Sequence, residues 1–326
     1  MEQALGAVLQ RLGPHLRSVP DGETGERRNW IVHIVEALAS HPDLERVHAG
    51  DWSDYDRRTR LRIRPGHRLR PEALNLGYAA SFQAHLRLHR QLRARFGLTD
   101  LPYQVGIPSD LDLALFALGP AQALRHRHVF TIATAAEIGA IHALAGDEVL
   151  FQLEVPVELV LVARAPRLLR SLVARVLAQG VARLAQRAPA GARFGVHLCL
   201  GDLGNRALCH PRDAGPIVSL TGALIRCWPA GRPLAYVHAP FAAGETPAPL
   251  AAEFYAPLTN LRLPERTRFI AGLLHEQHSL EQLRVALGHV EQALGFPVDV
   301  AAACGLGRRT PESAVGLLQL GLNLIT

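Results

Sequence analysis

The sequence predicts an α/β protein folded as a single (β/α)8 TIM barrel over residues 1–326. Short runs rich in β-branched and aromatic residues alternate with helical segments almost to the end of the chain, a pattern typical of parallel strands joined by helices. Eight such runs occur, which is the number that closes a ring. Polar side chains follow the ends of most of these runs, where a barrel builds its functional face.

No linker or repeat divides the predicted strands and helices into separate units, so we expect one domain. The strands are His15–Val19, Arg46–Ala49, Tyr103–Ile107, Val149–Glu154, Arg193–Leu198, Leu234–His238, Arg268–Leu274 and Val298–Ala303. The helical segments are Asn29–Ser40, Pro71–Phe96, Thr134–Ala145, Ala165–Gln186, Gly215–Cys227, Pro249–Pro257, Leu280–Gly295 and Pro311–Leu320. Several helices begin at proline or at a small polar residue, as helix N-termini favour.

Composition narrows the class of function. The formal charge of +6 comes from basic residues that are all arginines, spread over predicted helices such as Leu86–Phe96 and Ala163–Gln186. That spread, together with few aromatic residues, disfavours a dedicated nucleic-acid binder. No apolar run reaches the roughly 20 residues that span a bilayer, and the N-terminus lacks a signal-peptide pattern. We therefore expect a cytoplasmic protein without a membrane or nucleic-acid partner, and a homo-oligomer stays open.

Chemically reactive side chains cluster at the predicted strand ends. They are Asp21 and Glu23 after the first strand, Ser109 and Asp110 after the third, Glu154 at the fourth, His197 and Cys199 at the fifth, His238 at the sixth, His275 and His278 after the seventh, and Cys304 after the eighth. In a TIM barrel these ends meet at one face, however far apart they lie in sequence. We expect the functional site there.

The spacing of His197 and Cys199 predicts a metal site. Residues two apart on a strand point to the same side, and imidazole nitrogen and thiolate sulfur are both good ligands for Zn²⁺. Cys304 is the best candidate for a third ligand, since it ends an apolar strand and the glycines after it allow a sharp turn. Four cysteines are too few for a disulfide framework, so Cys209 is expected in a loop and Cys227 as a buried thiol on a helix.

These motifs carry a resemblance to a known family. His197-x-Cys199 followed by Cys304-Gly305-Leu306 and Arg309 resembles the zinc site of cobalamin-independent methionine synthase. Three further segments resemble that family in the same order, namely Arg17–Pro20, Phe151–Pro156 and Gln277–Ser279. The resemblance runs from residue 15 to residue 315 and corresponds to the C-terminal, catalytic half of that family, within the uroporphyrinogen decarboxylase/methionine synthase-like superfamily. Val19–Arg27, Leu200–Asp202 and Tyr255–Leu258 resemble smaller bacterial and fungal proteins of this superfamily more closely.

The resemblance implies zinc-dependent transfer of a methyl or other alkyl group from an alkyl donor to a small-molecule thiol, with zinc activating the substrate thiolate. It implies that His197, Cys199 and Cys304 hold the zinc. It also implies that Glu154 holds a substrate amine and that His278 acts as an acid, with His275 as the alternative.

The chain also departs from the family pattern. His238 stands where the family has a glutamate as the fourth zinc ligand, so His238 would have to replace it; a water, Glu245 or the substrate sulfur are alternatives. Gly50–Tyr55 does not match the segment that binds homocysteine in the family, and the extra N-terminal barrel that helps hold the folate tail is not matched. Homocysteine and polyglutamyl folate are therefore not the expected substrate pair.

Other interpretations of the same residues stay open. The same bond chemistry run backwards predicts a zinc-dependent carbon–sulfur lyase, and a non-catalytic metal-binding barrel would lack a cleft around the metal. The cysteine motifs disfavour a metal-free barrel of the decarboxylase type. Asp21, Glu23 and Arg27 form either a charged substrate-binding cluster or a cap on the helix that follows. Glu154 either contacts a ligand or belongs to an internal ion pair.

Overall fold

A parallel β-sheet forms the centre of the protein. The computed structural model describes residues 1–21 and 24–326. Its strands are β1 (Val19–Pro20), β2 (Leu44–His48), β3 (Arg60–Ile63), β4 (Tyr103–Pro108), β5 (Val149–Glu154), β6 (Phe194–His197), β7 (Leu234–Pro240), β8 (Arg268–Leu274) and β9 (Asp299–Ala302). Within the described residues, seven of them pair in parallel in the order β1-β4-β5-β6-β7-β8-β9. The predicted α/β architecture is confirmed.

The predicted second barrel strand, Arg46–Ala49, is wrong. That segment belongs to β2, which pairs antiparallel with β3 in a separate two-stranded sheet. A central parallel strand is apolar on both faces, whereas β2 buries Leu44 and leaves its other side chains partly or fully exposed. The amphipathic sequence suits a hairpin instead, in which Arg62 forms an ion pair with Glu45 across the strands. Closure of the parallel sheet into a complete ring stays a prediction.

Helices cover the sheet between successive strands. They are α1 (Glu2–Leu12), α2 (Val32–Leu38), α3 (Tyr78–Arg95), α4 (Asp110–Ala145), α5 (Pro156–Arg164), α6 (Arg170–Arg187), α7 (Gly215–Cys227), α8 (Ala252–Tyr255), α9 (Leu280–Leu294) and α10 (Pro311–Ile325). Those with strong start or stop residues agree best with prediction: α9 begins at a capping box on Ser279 and ends at Gly295 in the left-handed region.

Helix α4 is much longer than its predicted part, Thr134–Ala145. It is broken at Gly119, whose φ of 73° is outside the helical range, and Pro120 follows directly. With the turn after it, α4 is the one helix of the described chain long and apolar enough to cross a membrane. Its first half is buried in the core, as Leu113, Ala114 and Phe116 show, whereas only 39% of its most apolar window is buried.

The core lies on both faces of the parallel sheet. Side chains of the central strands, among them Ile107, Phe151, Leu153, Phe194 and Val196, are essentially inaccessible to solvent. Parallel strands are covered by helices on the face that a barrel turns outward, and their inward side chains fill the interior. The apolar part of each strand is therefore inside the protein. The carboxyl end of the strand reaches the edge of the sheet where the polar candidate site residues lie.

Candidate metal centre

Three polar residues form a row across the carboxyl ends of β5, β6 and β7. Glu154 is paired in register with His197, and His197 with His238. Residues in register on neighbouring parallel strands project from the same face, about 4.8 Å apart. The row is extended by the backbone, since the Val155 amide donates to the His197 carbonyl. The sheet register therefore places an acid and two imidazoles side by side.

Two thiols complete the site from the loops that follow β6 and β9. The ligand atoms of His197, Cys199 and Cys304 all lie within 4.8 Å of one another. The two Sγ atoms are 3.7 Å apart. Two sulfur atoms each about 2.3 Å from a tetrahedral zinc would be about 3.8 Å apart, so the cysteines already have the separation that zinc requires. The structure thus brings together the three residues predicted as ligands, and the donor set fits Zn²⁺.

The two thiols differ in acidity. A hydrogen bond from the Cys199 thiol, followed by interactions with His197 and Arg308, holds the pKa of Cys304 well below its usual range, although burial opposes this. The same sulfur–sulfur hydrogen bond and burial raise the pKa of Cys199. The Gly201 amide also donates to Cys199 Sγ at 3.3 Å. Cys304 is therefore the first of the pair to become a thiolate.

The two imidazoles of the row contact each other. Their Nδ1 atoms are 2.8 Å apart, so one ring donates and the other accepts. Burial would lower the pKa of His197, but its hydrogen bond to Cys304 and the charge of that thiolate raise it. Burial and the neighbouring charge of His197 lower the pKa of His238 to about 3. His197 is therefore the donor, and His238 is the neutral acceptor.

His238 is outside the three-residue cluster. Its Nε2 atom is buried, and a Cβ atom at Gly272 would be 2.8 Å from it. This nitrogen faces β8, while Nδ1 faces His197. The fourth-ligand role of His238 stays a prediction, because the imidazole would have to reorient to reach a metal held by the other three residues.

Glu154 is held at the end of the row by a chain of amides. Gln152 Nε2 donates to Glu154 Oε1 at 3.2 Å, and the Oε1 atom of Gln152 accepts from the Tyr236 hydroxyl at 2.8 Å and from the amide of Gln104. Burial, opposed in part by His197, raises the pKa of Glu154. The residue as a whole is half-buried at the carboxyl end of β5, where a ligand could reach it.

Three residues near the thiols were not predicted as site residues. Arg308 Nε donates to Asp202 Oδ2 at 2.9 Å, and Arg308 Nη2 donates to Cys304 Sγ at 3.4 Å. Tyr55, from the loop between β2 and β3, accepts the Leu203 amide at 2.9 Å. Burial and the Cys304 thiolate raise the pKa of Asp202 to about 7. The Leu200-Gly201-Asp202 motif was a signal for Asp202, whereas nothing in the local sequence indicates Tyr55.

Of the two acids predicted after the first strand, Asp21 is buried and forms an ion pair with Arg27 at 2.8 Å. Arg27 also donates to the Ser81 hydroxyl. Glu23 lies outside the described residues. Arg27 therefore connects Asp21 to α3. Contact of this charged pair with a substrate stays a prediction.

The two histidines after β8 are both buried and both anchor the loop after β7. His278 Nε2 donates to the Ala248 carbonyl at 2.6 Å, and His275 Nε2 donates to the Gly244 carbonyl at 3.2 Å. Burial lowers the pKa of His275. The proton on His278 Nε2 is thus committed to a backbone carbonyl in this state, and its role as an acid stays a prediction.

Comparison with known proteins supports the fold. The chain is similar to a protein from Listeria monocytogenes assigned as a vitamin-B12-independent methionine synthase, with a TM-score of 0.57, 14% identity, and coverage of 99% of this chain and 85% of that one. It is similar to a B12-independent methionine synthase from Shewanella sp. W3-18-1 in complex with selenomethionine, with a TM-score of 0.60, 14% identity, and coverage of 99% and 87%.

A methyltransferase from Methanosarcina mazei is a third similar structure, with a TM-score of 0.55, 14% identity, and coverage of 100% of this chain and 85% of that one. No protein-family profile and no curated protein sequence matches the chain. The fold is therefore that of the methionine synthase-like methyltransferases. At this level of identity the similarity concerns the fold, and the chemistry depends on the residues of the site.

Proposed function

We propose that the protein transfers a methyl or other alkyl group to a small-molecule thiol, with a zinc ion held by His197, Cys199 and Cys304. The observation that carries this proposal is the 3.7 Å separation of the two cysteine sulfurs beside His197, at the carboxyl edge of the sheet. Two thiolates and one imidazole form a donor set that suits zinc better than harder cations. Three protein ligands are the number typical of a catalytic zinc site.

When bound, zinc supplies one kind of chemistry here: it lowers the pKa of a substrate thiol, so that the sulfur is nucleophilic at neutral pH. Cys304 is already biased toward the thiolate, so this part of the donor set needs little further deprotonation. His197 donates through Nδ1 to His238, which leaves its other ring nitrogen for the ion. His238 thus orients a ligand in the arrangement seen and becomes one only if its ring turns.

Glu154 supplies the polar recognition in this proposal. The Gln152 amide holds one carboxylate oxygen, and the residue as a whole is half-buried beside His197. Because burial raises the pKa of Glu154, a substrate ammonium group would stabilise the ionised form by replacing lost solvation. Asp21, Glu23 and Arg27 would bind further charged groups of the substrates. A small amino-bearing thiol fits this set of groups.

His278 would supply the proton in the transfer itself. As the substrate sulfur forms its bond to the alkyl carbon, the bond from that carbon to the leaving group breaks, and the leaving group takes the proton. To donate from Nε2, His278 must release the Ala248 carbonyl, a movement of the loop after β7 that substrate binding would have to favour. Cytoplasmic location, absence of nucleic-acid and membrane partners, and the oligomeric state remain predictions.

X-ray absorption at the zinc edge tests this proposal. Zinc-loaded protein should show two sulfur ligands, and addition of homocysteine, cysteine or 2-mercaptoethanol in turn should raise the number toward three, at about 2.3 Å. A Cys227→Ser variant serves as the control, because that thiol is on α7, away from the site. A coordination shell that no thiol changes would make the zinc structural and overturn the transferase proposal.

A further inference from the structure

We propose that Arg308, held by Asp202, is a positioning residue that sets the separation of Cys199 and Cys304. This inference rests on the proposed function in one respect, namely that these cysteines bind a metal ion. It concerns a residue outside the His-x-Cys and Cys-Gly-Leu motifs. Its basis is a set of contacts that join parts of the chain that the sheet does not join.

The sheet does not control the distance between the two cysteines. Cys199 follows β6 and Cys304 follows β9, and in the sheet β7 and β8 lie between these two strands. Both sulfurs also lie beyond the last paired residues, His197 and Ala302. Backbone hydrogen bonds therefore place His197 but leave both thiols on loops. Besides the hydrogen bond between the two thiols, contacts between these loops must therefore hold the sulfurs 3.7 Å apart.

Arg308 makes the contacts that can do this. Its Nε atom donates to Asp202 Oδ2 at 2.9 Å, three residues beyond Cys199, while its Nη2 atom donates to Cys304 Sγ at 3.4 Å. A third donor, Nη1, is 3.4 Å from the carbonyl of Arg28, which follows β1. One guanidinium thus connects the loops after β1, β6 and β9. It does so at the side of the sheet where β9 and β1 share no strand pairing within the described residues.

Burial makes these contacts strong. The side chain of Asp202 is 1% exposed and that of Arg308 is 16% exposed, so the ion pair is little screened by water. The planar guanidinium directs several N–H groups in fixed directions, which an ammonium group cannot do. The N–H donated to Cys304 also withdraws electron density from that sulfur. Arg308 therefore acts on both the position and the charge of a ligand.

Cobalt(II) titration of the protein provides the test, since cobalt replaces zinc in such sites and its sulfur-to-metal charge-transfer band reports on the thiolates. Arg308→Gln should weaken cobalt binding about 10- to 100-fold. The band should move to longer wavelength, because a thiolate without its N–H donor is more easily oxidised. Arg308→Lys keeps the positive charge but loses the planar set of N–H donors. It should therefore show a smaller loss of cobalt affinity and a smaller shift of the band.

Two further variants make the result specific. Arg268→Gln removes a similar arginine–aspartate pair, with Asp299 on β9, at the opposite end of the strands, and should leave the affinity and the band unchanged. Asp202→Asn should weaken binding less than Arg308→Gln, since Arg308 can still reach Cys304. Thermal unfolding and far-ultraviolet circular dichroism confirm that each variant is folded.

The outcomes separate the two proposals. If the wild-type protein binds neither cobalt nor zinc, the proposed function fails and this inference fails with it. If the wild type binds metal and the Arg308 variants match its affinity and band position, only the positioning role is overturned. A lowered melting temperature with an unchanged band would likewise reduce Arg308 to a structural residue.

Discussion

Two regions of the molecule carry the candidate site, and they are held in place by different forces. Glu154, His197 and His238 sit in register on β5, β6 and β7, so main-chain hydrogen bonds of the sheet fix their spacing. Cys199 and Cys304 lie on loops, which are joined by the ion pair of Arg308 with Asp202 and by the hydrogen bond from Arg308 to Cys304. Half of the site is therefore built by secondary structure and half by tertiary contacts.

The largest expected effect is on the loop side. Cys304→Ser should abolish zinc binding, from about one ion per chain to none, because the acidic thiol of the cluster is lost. Elemental analysis of protein purified without added metal measures this, with Cys227→Ser as the matched control. Full zinc content in Cys304→Ser would show that Cys304 is not an essential ligand.

Two glycines allow the regions to be compared directly. Gly195 is on β6, and a Cβ atom there would collide with the buried ring of Tyr236. Gly195→Ala should therefore cost about 2–3 kcal/mol or more in the free energy of unfolding. Gly201 has a φ of 87°, and its Cβ atom would be 2.5 Å from the Tyr55 hydroxyl. Gly201→Ala should cost about 1–2 kcal/mol, since alanine rarely adopts that conformation.

For zinc affinity, the order of the two glycine variants should be the reverse of their order in the free energy of unfolding. Gly201→Ala moves the loop that carries Cys199 and should weaken zinc affinity more than Gly195→Ala does. Chemical denaturation and a zinc-chelator competition on the same samples measure both quantities. Equal losses of affinity in the two variants would remove the distinction between a sheet-held and a loop-held half of the site.

A buried pair of carboxyl groups at the starts of α4 and α5 supports the part of the site that the sheet holds in place. Ser109 Oγ lies 2.8 Å from Asp112 Oδ2 and 2.8 Å from Glu158 Oε1. A hydroxyl has a single hydrogen to donate, so one of the two carboxyl groups must carry a proton itself. Burial raises the pKa of Glu158 to about 7 and also raises that of Asp112. The backbone amide of Ser109 donates a hydrogen bond to the backbone carbonyl of Glu154, which connects this pair to the site.

This pair predicts a pH dependence of stability. The folded pKa of Glu158 lies above its ordinary value of 4.5, so the stabilisation is complete below that value and is lost as the pH rises through about 7. Glu158→Gln mimics the protonated form. When the pH is raised from about 5 to about 8, the melting temperature of Glu158→Gln should fall by roughly 2–5 °C less than that of the wild type. The exposed Glu253→Gln serves as control, and parallel pH profiles for all three proteins would contradict the prediction.

Local sequence patterns were sufficient to predict where most strands lie and which residues end them. The parallel strands were predictable because central strands are continuous apolar runs, and six of the eight predicted strands coincide with strands of the parallel sheet. The predicted first strand, His15–Val19, is wrong except at its end: it shares only Val19 with β1, and His15 belongs to a 3-10 turn. His197 and Cys199 were predictable as neighbouring ligands from their spacing of two residues, although β6 ends at His197 and Cys199 lies in the loop after it. The segment Arg46–Ala49 was misassigned because a short β-rich run does not reveal its partner.

The surroundings of these ligands depend on the folded chain and could not be predicted. Three contacts join residues far apart in the chain: the hydrogen bond between His197 and His238, the ion pair of Arg308 with Asp202, and the hydrogen bond from the Leu203 amide to Tyr55. No local pattern encodes such contacts, because side-chain hydrogen bonds depend on where separate loops meet after the core has packed. The sequence therefore specified the donors, and the folded chain set the distances and charges that allow them to act together.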